Sequence, residues 1–315
     1  MKLNVLKQAS LPDALTAELA RRYHLVELTA LTDADFRALA GTFTVLITNG
    51  EATVTRELIA SLPALELIAV FGVGYDGVDV QAAAEHQVRV SHTPGVLTDD
   101  VADLALGLML ATSRQIVAAH KFIEAGEWAA GGFPWTQKVS GSRVGIVGMG
   151  RIGQAIARRC EGFAMQIAYH DRKRLPALNY AWREDLLTLA AESDFLVICT
   201  PGTAANQGLI NQPVLAALGE KGILINISRG SVIDEPALVA ALESGIIAGA
   251  GLDVFSHEPA VPAGLLQCSN VVVTPHMASA TWSTRAAMAQ LVLDNVACWA
   301  EKKALVTPVA ESLAD

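Results

Sequence analysis

The sequence predicts an α/β protein built from parallel sheets that are covered by helices. Short apolar segments alternate with segments of helical periodicity, and the connections between them are short. Of the 315 residues, 52% are hydrophobic and only 5% are aromatic, a composition that suits buried parallel strands. The length fits one large domain or two ordinary ones.

A first series of alternating elements occupies the chain up to residue 91. Because its connections are short, we expect a small parallel sheet covered by helices. One helix is expected to begin at an N-cap formed by Asp33 and to end at Leu39. The other predicted helices cover residues 11–22, 55–61 and 80–86, and the predicted strands cover 3–6, 25–28, 45–48, 67–70 and 88–91.

A long apolar helix separates this series from the next. Its pattern is strong over residues 98–114 and continues weakly to Glu124. Such a helix suits a domain boundary or a subunit interface. The glycine-rich loop 126–141 follows, and its aromatic side chains indicate either a functional contact or packing back onto their own domain. These aromatic residues are Trp128, Phe133 and Trp135.

The second series begins with a dinucleotide-binding pattern. Residues 144–147 predict a buried strand, glycines at 148, 150 and 153 follow, and residues 152–159 predict a helix. Gly148 permits a tight turn, Gly150 leaves room for a pyrophosphate, and Gly153 allows close packing of helix and strand. The helix N-terminus adds N–H groups and partial positive charge. A plain tight turn is the alternative, and the strand–turn–helix context favours the nucleotide cradle.

The rest of the chain continues this alternation and ends in a long helix. Asp234 is the predicted N-cap of a helix that runs to Glu243 with Pro236 in its first turn. The terminal helix, residues 282–300, is expected to pack on the first domain. The remaining strands are predicted at 166–170, 194–199, 222–227, 248–254 and 271–274.

The choice between NAD and NADP depends on the residues at the end of the second strand of this series, where an acidic and several basic side chains indicate different cofactors. Asp171 lies where an acidic residue binds the ribose 2′-hydroxyl of NAD. Arg172, Lys173 and Arg174 follow, and arginine is the usual partner of the 2′-phosphate of NADP. Asp171 could also turn outward and pair with an arginine, and the basic run could be a solvated turn. The choice between NAD and NADP stays open.

Three polar residues follow successive strands of the same series: Arg229, Glu258 and His276. Strand ends meet at one edge of an open parallel sheet, so we expect these side chains to lie close together. Arginine can hold a carboxylate through two hydrogen bonds, histidine can pass a proton, and a glutamate beside it favours the protonated imidazole. Together they suggest an oxidoreductase site.

Charge and composition exclude several other classes of function. The net charge of -9 argues against a nucleic-acid partner. No leader segment and no apolar run long enough to span a bilayer is visible, so we expect a cytoplasmic protein with no membrane partner. The cysteines have no metal-binding spacing, and we predict no metal site and reduced, mostly buried thiols. They are Cys160, Cys199, Cys268 and Cys298.

Several segments together carry a resemblance to a known family. They are 145–153, 226–230 followed by 234–235, 251–255 followed by 258–259, 274–276 followed by 278–279, and, in the first domain, 72–76 and 93–98. In these segments the chain resembles the D-isomer-specific 2-hydroxyacid dehydrogenases, and most of all their glyoxylate/hydroxypyruvate reductase branch. Glu258 counts against formate dehydrogenases, a sister branch in which an uncharged amide is expected there.

The resemblance implies roles for individual residues. Arg229 would hold the substrate carboxylate and carbonyl, His276 would donate a proton to the carbonyl oxygen, and Glu258 would keep His276 protonated. Backbone N–H groups at Val73 and Gly74 would bind the substrate carboxylate. The implied cofactor contacts are Thr98, Gly148, Met149, Gly150, Arg151, Ile152, Gly153, Asp171, Arg172, Thr200, Pro201, Ile227, Ser228, Arg229, Asp253 and His276.

The resemblance also implies an architecture and an activity. It implies two Rossmann-like or flavodoxin-like domains with the active site in the interdomain cleft. Residues 1–96 and 283–315 would form the substrate-binding domain, and 97–282 the dinucleotide-binding domain. A homodimer would form through the 98–114 helix and the aromatic loop, with Trp135 or Phe133 reaching the partner's site.

The expected activity is NAD(P)-dependent reduction of small 2-oxo acids such as glyoxylate, hydroxypyruvate or a 2-keto sugar acid. Two alternatives stay open at this point. One is a phosphite dehydrogenase on the same fold, and the other is a nucleotide-binding corepressor.

Overall fold

The computed structural model describes residues 2–312 and divides the chain into two units. Unit 1 contains residues 2–97 and 281–312, and unit 2 contains residues 98–280. The chain thus leaves unit 1 before the long apolar helix and returns to it for the terminal helix. The expected roles of the two parts, substrate binding and dinucleotide binding, are separate predictions about function.

Unit 1 is organised around a sheet of five parallel strands. The spatial order is β2-β1-β3-β4-β5, and every neighbouring pair is parallel. Each residue of β4 is buried, as expected for a central strand covered on both faces. The strands are β1 (Asn4–Lys7), β2 (His24–Glu27), β3 (Phe43–Asn49), β4 (Leu67–Phe71) and β5 (Arg89–Ser91).

Most helices of unit 1 begin at polar caps close to the predicted positions, whereas the first helix follows Pro12 and has no side-chain cap hydrogen bond. Thr32, and not Asp33, is the N-cap of α2, because its side chain accepts the N–H of Asp35 and Asp33 is the first helical residue. The terminal helix α12 contacts β4, as predicted. The helices are α1 (Asp13–Arg22), α2 (Asp33–Leu39), α3 (Arg56–Ala60), α4 (Val80–Glu85) and α12 (Trp282–Ala300).

Unit 2 contains a larger parallel sheet of seven strands. The spatial order is β12-β11-β10-β9-β6-β7-β8, with parallel pairing throughout. The order in which the chain adds strands reverses at the neighbouring strands β6 and β9, which is where open parallel sheets bind nucleotides. The strands are β6 (Arg143–Val147), β7 (Gln166–His170), β8 (Ala181–Trp182), β9 (Phe195–Ile198), β10 (Ile223–Asn226), β11 (Gly249–Leu252) and β12 (Val271–Val273).

The helices of unit 2 differ from prediction at two points. The long apolar helix is two helices, because Gln115 takes a left-handed conformation with φ 49°. Pattern analysis also missed the short helices α8 and α9. The helices are α5 (Thr98–Ser113), α6 (Ile116–Glu124), α7 (Arg151–Gly162), α8 (Leu186–Ala191), α9 (Gln212–Leu218), α10 (Glu235–Glu243) and α11 (Ala263–Gln267).

The aromatic loop after α6 divides into packed and exposed side chains. The ring of Phe133 packs edge-on against Phe122 of α6, with centroids 5.4 Å apart, so Phe133 packs back onto its own unit. Trp128 is 67% exposed, and Trp135 is fully exposed. The loop contains a single 3₁₀ turn, Glu127–Ala129.

Across residues 2–312, no single helix has both the length and the apolar character needed to cross a bilayer. Helices α5 and α6 meet that test only as a pair, which bends by 55°. All four cysteines are free, as predicted. Only Cys160 is fully buried, whereas Cys199, Cys268 and Cys298 are half-buried, so the expectation of mostly buried thiols was too strong.

Candidate active site

The loop between β6 and α7 has the geometry of a dinucleotide cradle. Gly148 has φ 94°, a conformation that favours glycine. A Cβ on Gly153 would lie 2.2 Å from the carbonyl oxygen of Gly148, so a side chain there would push the helix away from the strand. By contrast, no described heavy atom lies within 4 Å of where a Cβ on Gly150 would point. Each glycine therefore meets the demand expected of its position.

The helix that follows this loop begins directly after the last residue of the loop, so its N-terminal N–H groups lie next to Gly150. Gly150 is the N-cap of α7, and no described side chain caps the helix. Uncapped N–H groups and the helix dipole attract anions such as a pyrophosphate. Arg151 is exposed and Met149 is buried, so any contact from Met149 would involve its backbone. The residues present therefore fit a dinucleotide.

Asp171 points toward the glycine loop. One carboxylate oxygen accepts the N–H of Met149 at 2.9 Å, and the other accepts the N–H of Arg172 at 2.7 Å. The side chains of Arg172, Lys173 and Arg174 are exposed. Asp171 thus fastens the end of β7 to the loop after β6, beside a basic turn that remains open to solvent.

The turn after β9 lies against the same loop. A Cβ on Gly148 would sit 2.8 Å from the backbone nitrogen of Thr200. Asn206 donates from its amide to the hydroxyl of Thr200 and to the carbonyl of Pro201, each at 2.9 Å. This amide holds the Thr200–Pro201 turn in shape, and the sequence pattern gave no indication of its role.

Arg229 follows β10 on a turn that a buried asparagine shapes. The amide of Asn226 donates to the carbonyl of Arg229 at 2.9 Å, and its oxygen accepts from the N–H and the hydroxyl of Ser228. A Cβ on Gly230 would lie 1.9 Å from the carbonyl carbon of Phe255. The Arg229 turn therefore lies directly against the loop that contains Glu258.

Glu258 and His276 form the central pair of the site. An oxygen of Glu258 lies 2.7 Å from Nδ1 of His276, and the two side chains are 23% and 26% exposed. The other oxygen of Glu258 accepts the N–H of Phe255 at 2.8 Å. Because a carboxylate accepts hydrogen bonds, Nδ1 carries a proton in this pair.

The electrostatics of Glu258 keep it ionised. Burial alone would raise its pKa, but the hydrogen bonds from His276 and Phe255 and the charges of His276 and Arg229 outweigh burial and lower the pKa. A persistent negative charge at this position favours the protonated form of the imidazole.

Asp253 organises the loop that presents His276. Its carboxylate accepts from the hydroxyl of Thr274 at 2.6 Å and from the N–H groups of Met277 and Ala278, each at 2.9 Å. Its carbonyl accepts the N–H of His276, which has φ 50°. Burial raises the pKa of Asp253, against the effect of these donors. Asp253 thus holds the strained turn at His276 in place.

The remaining predicted residues have simpler positions. In unit 2, Thr98 begins α5, and Ile227 is buried directly after β10. In unit 1, Val73 and Gly74 lie on the loop after β4. Glu235 is a supporting residue whose role the sequence did not show: its carboxylate accepts the N–H of Ser256 at 2.7 Å.

Comparisons with known proteins show the family to which the chain belongs. Residues 106–278 match the model of the D-isomer specific 2-hydroxyacid dehydrogenase NAD-binding domain. The chain is 45% identical over 309 residues to hydroxyphenylpyruvate reductase of Plectranthus scutellarioides, covering 98% of this chain and 99% of that protein. It is 40% identical over 309 residues to glyoxylate/hydroxypyruvate reductase A of Arabidopsis thaliana, with the same coverage.

A solved structure extends the similarity to the fold. The NADPH-dependent glyoxylate/hydroxypyruvate reductase of Sinorhizobium meliloti, in complex with NADP and malonate, is 42% identical and has a TM-score of 0.93. The match covers 99% of this chain and 98% of that one. The chain belongs to the D-isomer-specific 2-hydroxyacid dehydrogenase family and is an NAD(P)-dependent oxidoreductase that acts on CH–OH groups.

Proposed function

We propose that this enzyme reduces small 2-oxo acids to D-2-hydroxy acids, with His276 as the proton donor. The observation that supports this most strongly is the 2.7 Å pair between Glu258 and Nδ1 of His276. With Nδ1 held by the carboxylate, Nε2 is the nitrogen that passes a proton to the substrate carbonyl oxygen.

The cofactor and Arg229 are proposed to supply the other parts of the reaction, hydride transfer and substrate orientation. Reduced NAD(P), when bound, supplies the hydride that forms the new C–H bond at the carbonyl carbon. The proton from His276 forms the new O–H bond, and the imidazole becomes neutral. Arg229, whose charge acts on Glu258, orients the carboxylate and the carbonyl oxygen of the substrate through its forked guanidinium.

Within unit 1, the backbone N–H groups of Val73 and Gly74 are proposed to bind the substrate carboxylate. Successive backbone N–H groups in a glycine-rich turn form an anion-binding nest. The carbonyl groups of the same loop are held by other parts of unit 1, which favours a fixed direction for these N–H groups.

The substrate class is tested with a panel of 2-oxo acids. Glyoxylate, hydroxypyruvate, hydroxyphenylpyruvate and a 2-keto sugar acid are each offered with NADH and with NADPH, and phosphite is offered with the oxidised cofactors. We expect reduction of at least one 2-oxo acid. Turnover of phosphite alone, or nucleotide binding without turnover of any compound, would contradict the proposal.

The role of His276 is tested by substitution. His276→Ala should lose most turnover while cofactor still binds, because the proton donor is not part of the glycine loop. His24→Ala is the matched control, since His24 is an exposed histidine that bonds to Asn4 in unit 1. Normal turnover in His276→Ala would remove His276 as the donor. Arg229→Ala should weaken substrate binding as well as the rate.

We also propose a homodimer that forms through unit 2. Helix α6 exposes Ile116, Val117 and Ile123, at 52%, 45% and 58%, and the loop that follows it exposes Trp128 and Trp135. Exposed apolar side chains of this kind mark interfaces. Light scattering should show a dimer that Ile123→Asp weakens. Leu266→Asp, at a residue 61% exposed on α11, is the control and should leave the dimer intact; equal behaviour of the two variants would contradict this interface.

A cytoplasmic location completes the proposal. The four free cysteines are consistent with a reducing compartment. Detection of the enzyme in the cytosolic fraction by antibody would support the location, and recovery in an exported fraction would refute it.

A further inference from the structure

We infer that His92 is a positioning residue that fixes the direction of the N–H groups on the loop at Val73 and Gly74. This inference rests on the proposed function, because it gives these N–H groups the substrate carboxylate as their ligand. All contacts that support it lie within unit 1.

The carbonyl groups of this loop are held by the residues that follow β5. Nδ1 of His92 lies 2.9 Å from the carbonyl oxygen of Val73. The backbone N–H of Thr93 donates to the carbonyl oxygen of Gly72 at 2.8 Å. Because a carbonyl oxygen only accepts hydrogen bonds, Nδ1 of His92 carries the hydrogen.

Peptide geometry transfers this restraint to the N–H groups. The carbonyl of Val73 and the N–H of Gly74 belong to one planar trans peptide, so they point in opposite directions. In the same way, the carbonyl of Gly72 fixes the N–H of Val73. Two peptide planes carry the N–H groups that are predicted to bind the carboxylate. His92 and Thr93 hold these planes through their carbonyl oxygens, on the side opposite the N–H groups.

The loop needs such a restraint because of its composition. Val73 lies between Gly72 and Gly74, and glycine backbones have wide conformational freedom. A peptide plane between glycines can rotate and turn its N–H away from an anion. Thr93 acts through its backbone N–H, which only proline would remove and with a fixed φ besides, whereas His92 acts through a side chain that substitution can test.

His92 itself is firmly held. Its backbone N–H donates to the carbonyl of Thr307 at 3.2 Å, and the hydroxyl of Thr307 donates to the carbonyl of His92 at 2.6 Å. Asn295, which is fully buried in α12, exchanges two hydrogen bonds with Thr307. The ring of Tyr75 packs edge-on against the imidazole, with centroids 5.2 Å apart. The imidazole can therefore act as a fixed support.

The test compares His92→Asn with His92→Leu, two variants whose side chains have the same number of heavy atoms and the same branching. The amide nitrogen of Asn is the same number of bonds from Cα as Nδ1 of His, so Asn keeps a donor for Val73, and Leu does not. Both variants lose the ring contact with Tyr75. The pair therefore isolates the hydrogen bond from packing.

Two measurements are made on each variant. Steady-state kinetics with glyoxylate separate KM from kcat, and calorimetry measures the binding of oxamate, a non-reducible 2-oxo acid analogue, to the enzyme saturated with oxidised or reduced cofactor. We expect His92→Leu to raise KM and the Kd of oxamate by about 10-fold, as for one lost hydrogen bond. The kcat and the cofactor Kd should change less than about 3-fold, and His92→Asn should restore KM and oxamate binding.

Other results would overturn the inference. Equal KM and oxamate values for His92→Asn and His92→Leu would show that the donor does not matter. Thermal unfolding monitors stability, and His92→Ala replaces His92→Leu if the latter does not fold. If the wild-type enzyme reduces no 2-oxo acid, the proposed function fails, and oxamate binding still decides on His92: no binding, or binding that ignores the donor, refutes it.

Discussion

The charge of Glu258 should set the pH at which the enzyme loses activity. In the proposed mechanism reduction requires a proton on His276, and this proton is lost as pH rises. An ionised Glu258 at 2.7 Å stabilises the protonated imidazole. Glu258→Gln removes the charge but keeps a hydrogen-bond acceptor, so we expect the alkaline limb of the rate profile to move to lower pH.

The size of this shift follows from the pair. A hydrogen bond between charged groups contributes about 1.5–3 kcal/mol, against about 0.5–1.5 kcal/mol for a neutral one. Both side chains are about a quarter exposed. Solvent screening therefore reduces the difference between the charged and the neutral hydrogen bond to about 1 kcal/mol. One pKa unit corresponds to about 1.4 kcal/mol. The expected shift is therefore roughly 0.7 pH unit, or about a 5-fold loss of rate on the alkaline limb.

The assay is kcat/KM for glyoxylate reduction between pH 5 and 10. Glu161→Gln is the matched control, because Glu161 is an exposed carboxylate of unit 2 that accepts from Tyr180 and does not contact His276. Its profile should coincide with that of the wild type. Coincident profiles for Glu258→Gln and the wild type would refute the role given to Glu258, and so would an equal loss at every pH.

Three further predictions concern the cradle, the histidine turn and a thiol. Gly153→Ala should lower Tm and weaken cofactor binding, because its Cβ would meet backbone at 2.2 Å; Gly162→Ala in the same helix, with open space around its Cβ, should do neither. Asp253→Asn should destabilise the protein by about 1–3 kcal/mol in urea unfolding, since an amide cannot accept all three donors, and a wild-type midpoint would contradict this. Burial raises the pKa of Cys160 to about 12, so iodoacetamide at pH 8 should label it only after unfolding; peptide mapping by mass spectrometry detects the label.

The parts of the fold that the sequence predicted are those that depend on hydrophobic pattern and turn chemistry. The terminal helix Trp282–Ala300 was predicted with its observed bounds, because the long segment contains neither glycine nor proline. The break at Gln115 was missed, since a single left-handed residue leaves the apolar pattern on both sides unchanged. The short helix Leu186–Ala191 was missed although the equally short Val80–Glu85 was predicted, so length alone does not separate the two.

The site divides in a similar way. The position of Glu258 beside His276 could be predicted, because both follow strands that are neighbours in a parallel sheet. The supporting residues could not, because Asn226 and Asn206 bond to nearby turns of irregular shape and Glu235 bonds to the backbone of a distant loop. Such contacts depend on how loops are folded in space, and they leave no pattern in the sequence.

Asp171 shows how the same limit affects cofactor choice. Its residue type predicts a ribose contact, but both of its oxygens already accept backbone N–H groups. A carboxylate has further lone pairs, so a ribose hydroxyl can still bind to it. Its charge opposes a 2′-phosphate, while the exposed Arg172 and its basic neighbours attract one. Because Asp171 also fastens β7 to the glycine loop, replacing it to favour NADP should loosen the cradle for both cofactors, whereas replacing Arg172 should affect NADP alone.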